Sequence, residues 1–196
     1  EVLATLSEKG SQVMVCTHSP LFVRGESFEN VRLIRRDPVT KASTIAQCSA
    51  TDVEAAVTAA RGKAAPKREA AIAKLAQELN PELNELFFAP YIILVEGAED
   101  IAYIKAHLHR LDLMDRFRAL GCHLVPVHGK SRMAKPIAIL KKMGVPFYCI
   151  LDADGDCKAK HRETHEADNR TIFELLDLAG TPTFPMETIW KDGVTV

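Results

Sequence analysis

Leu94-Val95-Glu96-Gly97-Ala98-Glu99-Asp100 and Ile150-Leu151-Asp152-Ala153-Asp154-Gly155-Asp156 are two apolar runs that each break into acids at a turn containing glycine. Tyr91–Val95 and Pro146–Leu151 read as buried strands, and His123–Val127 between them reads as a third. Helical patterns separate the strands. Glu99–Leu111 places Ile101, Ile104, Leu108 and Leu111 on one side. Ser131–Met143 is largely helical, with Pro136 suited to a first turn and Gly144 to the residue that closes the helix. Asp168 or Asn169 then caps a helix over Arg170–Ala179 that Gly180 ends. This alternation predicts an α/β fold, a parallel sheet with helices on its faces. In such sheets ligands sit at the carboxyl ends of the strands.

Both acidic clusters fall at that edge. Carboxylates gathered there repel one another unless a cation lies between them, and hard oxygen ligands suit Mg²⁺ or Mn²⁺. Gly97 and Gly155 let the backbone turn sharply beside such an ion. Asp152 and Asp154, two apart, share a side if the chain stays extended. The competing reading is local: Glu99 and Asp100 also favour a helix N-terminus without any ligand.

The residues before the sheet differ in texture. Gln12–Cys16, Val31–Arg35 and Thr44–Gln47 are β-like runs, the last two joined at the turn Asp37-Pro38 as a hairpin. From Thr51, which can cap, the chain reads as helical to about residue 88, punctuated by Gly62 and Pro66; a second helix, about 67–79, carries Ile72, Leu75, Ala76 and Leu79 on one face. This segment, 51–88, is expected to be an exposed helical linker or a dimerisation arm. Glu1–Thr5 lacks the basic start of a signal peptide and reads as the middle of a helix, so a longer parent protein is expected.

Composition narrows the class. Hydrophobic residues at 47% and charged residues at 26% suit a globular domain, and no apolar run approaches the ~20 residues that span a bilayer. Cysteines 16, 48, 122, 149 and 157 are odd in number and show no CxxC, against a disulfide framework or zinc module and for a reducing cytoplasm. The net charge of -1 gives no global sign of nucleic-acid binding. Locally, Lys158, Lys160 and Arg162 form a basic loop after the second acidic cluster that could track a DNA backbone, or be an ordinary charged loop.

An apolar strand ending in Glu96-Gly97, followed by an apolar strand ending in Asp152-x-Asp154, resembles the Toprim domain over residues 90 to about 180. Leu86-Phe87-Phe88-Ala89-Pro90 leading into Ile93–Gly97, and Val127-His128-Gly129-Lys130-Ser131, resemble the overcoming lysogenization defect (OLD) nucleases. Gln12–Cys16 followed by Thr17-His18-Ser19-Pro20 resembles the strand and switch histidine that close an ABC-type ATPase domain. The resemblance implies residues 1–50 as an ATPase remnant, 51–88 as linker and 89–196 as a Toprim catalytic domain. It implies a DNA endonuclease using two Mg²⁺ or Mn²⁺ ions, with Glu96, Asp100, Asp152, Asp154 and Asp156 as ligands and Glu96, Asp152, Asp154 and Lys130 in catalysis. Lys130 and Ser131 would face a phosphate, His18 would sense ATP in the full-length protein, and a homodimer off the membrane is expected. The alternative is a Toprim module that binds nucleic acid without cutting it. Glu99 stands where the family has a small hydroxyl residue before its second acid.

Other readings fit less well. Asp152-x-Asp154-x-Asp156 with Glu163 imitates an EF-hand, but Cys157 takes the glycine position. Asp152-Ala153-Asp154-Gly155 imitates a dehalogenase-type phosphatase, but follows a third strand rather than a first. His161 and His165, four apart, sit among charged residues and read as surface. Tyr91, Tyr103 and Tyr148 lie inside predicted strands or a helix, against a topoisomerase nucleophile. No phosphate-binding loop exists: Gly129-Lys130-Ser131 imitates its end, but Leu124 stands at its first glycine. The chain is therefore expected neither to bind nor to hydrolyse ATP, and stoichiometric ATP binding in calorimetry would contradict this.

Overall fold

The structure is a computed structural model that describes residues 2–37, 39–191 and 194–195. Helix α1 spans Val2–Glu8. Gln12–Cys16, expected as a strand, is irregular, with Met14 90% exposed. A strand exists only through pairing, and no described strand lies beside these residues. Short 3₁₀ turns at Pro20–Phe22 and Gly25–Asn30 follow. The second packs so closely on the helix over Arg68–Glu78 that a Cβ on Gly25 would lie 2.3 Å from Ala76 Cα. The expected hairpin forms as β1 (Leu33–Arg36) and β2 (Ser43–Ala46), with Ile34 opposite Ile45. Asp37 closes its turn by accepting the amide hydrogens of Val39 and Thr40, while Pro38 lies outside the described residues.

Helix α2 (Ala50–Ala60) is capped by Ser49 rather than Thr51. Ser49 Oγ accepts the Asp52 amide at 3.0 Å and the Asp52 carboxylate accepts the Ser49 amide at 2.9 Å, a reciprocal capping box. Helix α3 covers Arg68–Glu78. Val53, Val57, Ala71 and Leu75 are buried, so this segment is not an exposed linker but part of one core with the sheet region.

The three expected strands are β3 (Tyr91–Val95), β4 (Cys122–Pro126) and β5 (Phe147–Ile150). β3 lies between the other two and runs parallel to both. Two-residue strands β6 (Trp190–Lys191) and β7 (Val194–Thr195) extend the sheet to the order β4-β3-β5-β7-β6, with β7 parallel to β5. Helix α4 (Ala98–Arg110) crosses from β3 to β4, followed by α5 (Met114–Ala119), which had no apolar period to announce it. Helix α6 (Ala134–Met143) crosses back from β4 to β5 and stops at Gly144 in the left-handed conformation (φ 62°). Right-handed crossovers in opposite directions put α4 and α6 on opposite faces. Burial agrees: Ile92, Leu94, Val125 and Val127 join the large core under α2 and α6, whereas Val95, Leu124 and Met114 are buried outside it.

Helix α7 begins at Ala159, not Arg170, and runs to Leu175 against α2 and α6. Its first half, Lys160 to Asp168, is almost wholly polar, so periodicity could not reveal it. Asp168 and Asn169, expected as caps, are interior helical residues.

Glu54 ties the helical layer together. It is 2% exposed on α2 and lies 3.3 Å from Lys74 of α3 and 3.4 Å from Lys135 of α6. Glu54→Ala would leave Lys135 without one of its two carboxylate partners, Glu78 being the other. The expected loss is about 3 kcal/mol. A urea unfolding midpoint unchanged from wild type would contradict this.

Candidate functional site

The carboxyl ends of β3, β4 and β5 bring three segments together. Glu96, half-buried at the end of β3, accepts the Asp152 main-chain amide on Oε1 at 2.9 Å. Its own carbonyl accepts the Gly129 amide at 2.8 Å, which draws in the loop after β4. His128 and Gly129 make that loop with positive φ (58° and 112°), turning the chain so that Lys130 points inward. Lys130 is 5% exposed. Its ammonium donates to the Asp152 carbonyl at 2.6 Å and forms an ion pair with the Asp154 carboxylate.

The acids divide into distinct environments. Asp154 takes a left-handed conformation (φ 55°), so the chain is not extended and Asp152 and Asp154 do not act as period-two neighbours. Aspartate tolerates this region better than most residues. The Asp154 carboxylate is held from two sides, by Lys130 and by His165 Nδ1 of α7 at 3.0 Å. Asp152 instead directs its main chain inward, and its exposed carboxylate accepts no hydrogen bond from another described residue. Asp156 is exposed. Asp100 accepts the Gly97 amide at 2.8 Å, as the helix-capping reading expects. Among the described residues, no three His, Cys, Asp or Glu side chains stand as a preassembled metal cage. Burial pushes the Glu96 carboxyl above its ordinary value near 4.5, and the nearby charges of Asp154 and Asp152 push the same way. The Asp152 amide and Lys130 oppose this.

The other sequence candidates are placed as follows. Ser131 caps no helix; its hydroxyl donates to Asp168 at 2.5 Å. Lys158 is the residue before α7 and Lys160 lies in its first turn, both exposed, so the basic loop is a helix start. Arg162 donates to the Gly155 carbonyl at 3.1 Å and its guanidinium lies 4.3 Å from the Phe184 ring centre. It thus braces the acidic loop. His18 is exposed in the irregular amino-terminal stretch.

Two residues of the site escaped the sequence reading. His165, expected on the surface, is half-buried against Asp154; only the helix start at Ala159 puts it there. Asn169 is fully buried, and its side-chain amide donates to the carbonyls of Ala153 (2.7 Å) and Thr183 (2.9 Å). Its signal was present: it stands three and four residues before the core residues Ile172 and Phe173, on the buried face. An open hollow of about 450 Å³ beside this edge is lined by Glu96, Glu99, Asp100 and His128.

Residues 87–154 match the family described as overcoming lysogenization defect protein-like, TOPRIM domain. That stretch contains Glu96, Asp100, Lys130, Ser131, Asp152 and Asp154 and ends before Asp156. A curated relative, the OLD nuclease of Thermus scotoductus (strain ATCC 700910 / SA-01), is 24% identical over 189 residues. The alignment covers 91% of this chain and 33% of the relative, so the chain spans about a third of that protein's length. The two matches support an OLD-family, C-terminal Toprim region.

The raised Glu96 pKa has a consequence for stability. In the folded state its proton is held more tightly than in the unfolded chain, so its contribution is present at low pH and lost as pH rises through the folded value. Glu96→Gln keeps the acceptor for Asp152 and removes the charge. In metal-free buffer it should melt higher than wild type at neutral pH, with the difference shrinking toward pH 4. A lower melting temperature at neutral pH would contradict this.

Proposed function

We propose that this chain is the catalytic part of a divalent-metal-dependent DNA endonuclease that hydrolyses phosphodiester bonds, and that in its parent protein it follows an ABC-type ATPase region. The supporting observation is the convergence of Glu96, Lys130, Asp152 and Asp154 on one sheet edge, all within the stretch that matches the Toprim family.

The donor set fits a hard dication. Glu96 is a carboxyl whose ionisation is opposed by burial and by two neighbouring carboxylates, a situation a cation reverses. Glu96 and Asp152 would hold the first Mg²⁺ or Mn²⁺, with Asp100 and Asp156 flanking it. Asp154 would serve a second ion by exchanging its contacts with Lys130 and His165. Bound there, the metal supplies charge neutralisation at the phosphate and a more acidic water. Lys130 balances the acids before substrate binds and, once released from Asp154, offers its ammonium to a phosphate oxygen. Arg162 and Asn169 hold the acidic loop in position from behind. Lys158, Lys160 and Ser131 belong to the DNA-facing side of this reading. His18 is the ATP-sensing remnant, the assembly is a homodimer, and the protein works in the cytoplasm. No described helix is long and apolar enough to cross a membrane.

One observation favours a second reading. Asp154 is already neutralised by Lys130 and contacted by His165, as it would be in a Toprim module that binds nucleic acid and does not cut. Incubation with supercoiled plasmid separates the two. The nuclease reading expects nicking or linearisation with Mg²⁺ or Mn²⁺, none in EDTA, and a drop of about 100-fold or more in Glu96→Ala and Asp152→Ala. Full cleavage by Asp152→Ala would refute the site, and no cleavage by pure protein with either ion would favour the binding module.

A further inference from the structure

A second hollow, of about 260 Å³, lies between the β1–β2 hairpin and the end of α6. Strand β1 alternates beside it: Leu33 and Arg35 line the hollow, while Ile34 and Arg36 are exposed. Ala46 of β2 and Lys141, Lys142 and Met143 from the last turn of α6 also line it. Its place in the sheet is fixed by two contacts. The Arg35 guanidinium donates to the carbonyls of Ala89 at 2.7 Å and Pro90 at 3.2 Å, immediately before β3. Gly144 closes α6 shortly before β5. The hollow therefore sits at the amino ends of β3 and β5, whereas the acids sit at their carboxyl ends.

Three cations line this hollow and no carboxylate does. Lys141 is already shared, donating to the Leu175 carbonyl at 2.6 Å and pairing with Asp177 at 2.7 Å. Lys142 forms no ion pair with a described carboxylate; Asp52 is within electrostatic reach, but its carboxylate is engaged by Ser49 and does not line the hollow. The helix dipole favours lysines in a last turn, which accounts for Lys141 and Lys142 without any ligand. It does not account for Arg35, which comes from another element. Arg35 is half-buried, pairs with no described carboxylate, and has its pKa lowered by burial with nothing opposing. Its Nε is buried and donates to no acceptor. A guanidinium partly withdrawn from water, with no anion and an unused donor, is costly to keep. Setting Asp177 against Lys141 leaves Arg35 and Lys142 at a hollow whose other side chains are mostly apolar.

We propose that this hollow is an oxyanion site that takes a phosphate group, as the free ion or as a terminal monoester, between Arg35 of the hairpin and Lys142 of α6. Two cations without paired acids match a dianion better than a singly charged carboxylate, and a guanidinium beside an ammonium offers donors suited to phosphate oxygens. Bound there, the anion ties the hairpin to α6, the helix that crosses between β4 and β5. The site is weak, with a Kd of about 1 mM, and it does not replace the phosphate-binding loop that ATP would need. It stands independently of the nuclease reading, since it lies at the other end of the strands.

Proton–nitrogen correlation spectra of the whole chain, recorded at constant ionic strength in EDTA, test this with inorganic phosphate, dTMP and acetate. Phosphate should produce saturable shifts at the Arg35 Nε–H and the Gly144 amide, and little at Gly97 or Gly129 beside the acids. Shifts of the same resonances by dTMP extend the site to monoesters; shifts by phosphate alone restrict it to the free ion, and both outcomes support it. Acetate should bind at least about tenfold more weakly. Lys142→Gln removes an exposed ammonium that makes no ion pair, so it should keep the wild-type melting temperature and weaken phosphate by about tenfold. Arg35→Lys keeps the charge and loses the planar fork, and it should weaken phosphate as well. Should Arg35→Lys fail to fold, Lys142→Gln decides alone. Unsaturable shifts, equal binding of acetate, shifts confined to the acidic edge, or wild-type phosphate affinity in folded Lys142→Gln would each overturn the proposal.

Discussion

Parallel strands deliver the acids that follow them to one end of a sheet, and acids crowded at low dielectric cannot remain there without a counter-charge. In this protein the counter-charge is a lysine. Lys130 is nearly inaccessible to water and spans the Asp152 carbonyl and the Asp154 carboxylate. A buried ammonium is itself costly unless its donors are used, so the cation and the acids depend on each other. The sharp loop at His128 and Gly129, the hydrogen bond from Gly129 to Glu96 and the left-handed Asp154 all follow from bringing that ammonium in.

The same interaction orders what surrounds it. Asp154 is also held by His165, and the loop that carries it is pinned by Asn169 and Arg162, all from the first two-thirds of α7. That helix is mostly polar because its residues serve the site rather than the core. Its apolar end, Ile172 to Leu175, packs with α2 and α6, and Glu54 fastens α2 to α3 and α6. The helices before the sheet are thus structural support for the site-bearing layer.

The parallel sheet was legible because Tyr91–Val95, His123–Val127 and Pro146–Leu151 are continuous apolar runs, which only a doubly covered sheet requires. The meeting of Glu96 with Asp152 followed from strand direction. Three features were not legible, each for a physical reason. The Gln12–Cys16 run had strand composition but no described neighbour to pair with. The start of α7 had no apolar stripe, which hid His165 and turned Lys158, Lys160 and Arg162 into an apparent loop. The partnership of Lys130 with Asp154 joins residues 24 positions apart across two strands, and no local pattern encodes it.

The central claim is that this edge accepts a divalent cation in exchange for part of its lysine neutralisation. Anomalous scattering from crystals grown with Mn²⁺ tests it directly. The account predicts a peak between the Glu96 and Asp152 carboxylates that disappears in Glu96→Gln. No peak there at saturating Mn²⁺, with Lys130 still on Asp154, would contradict it.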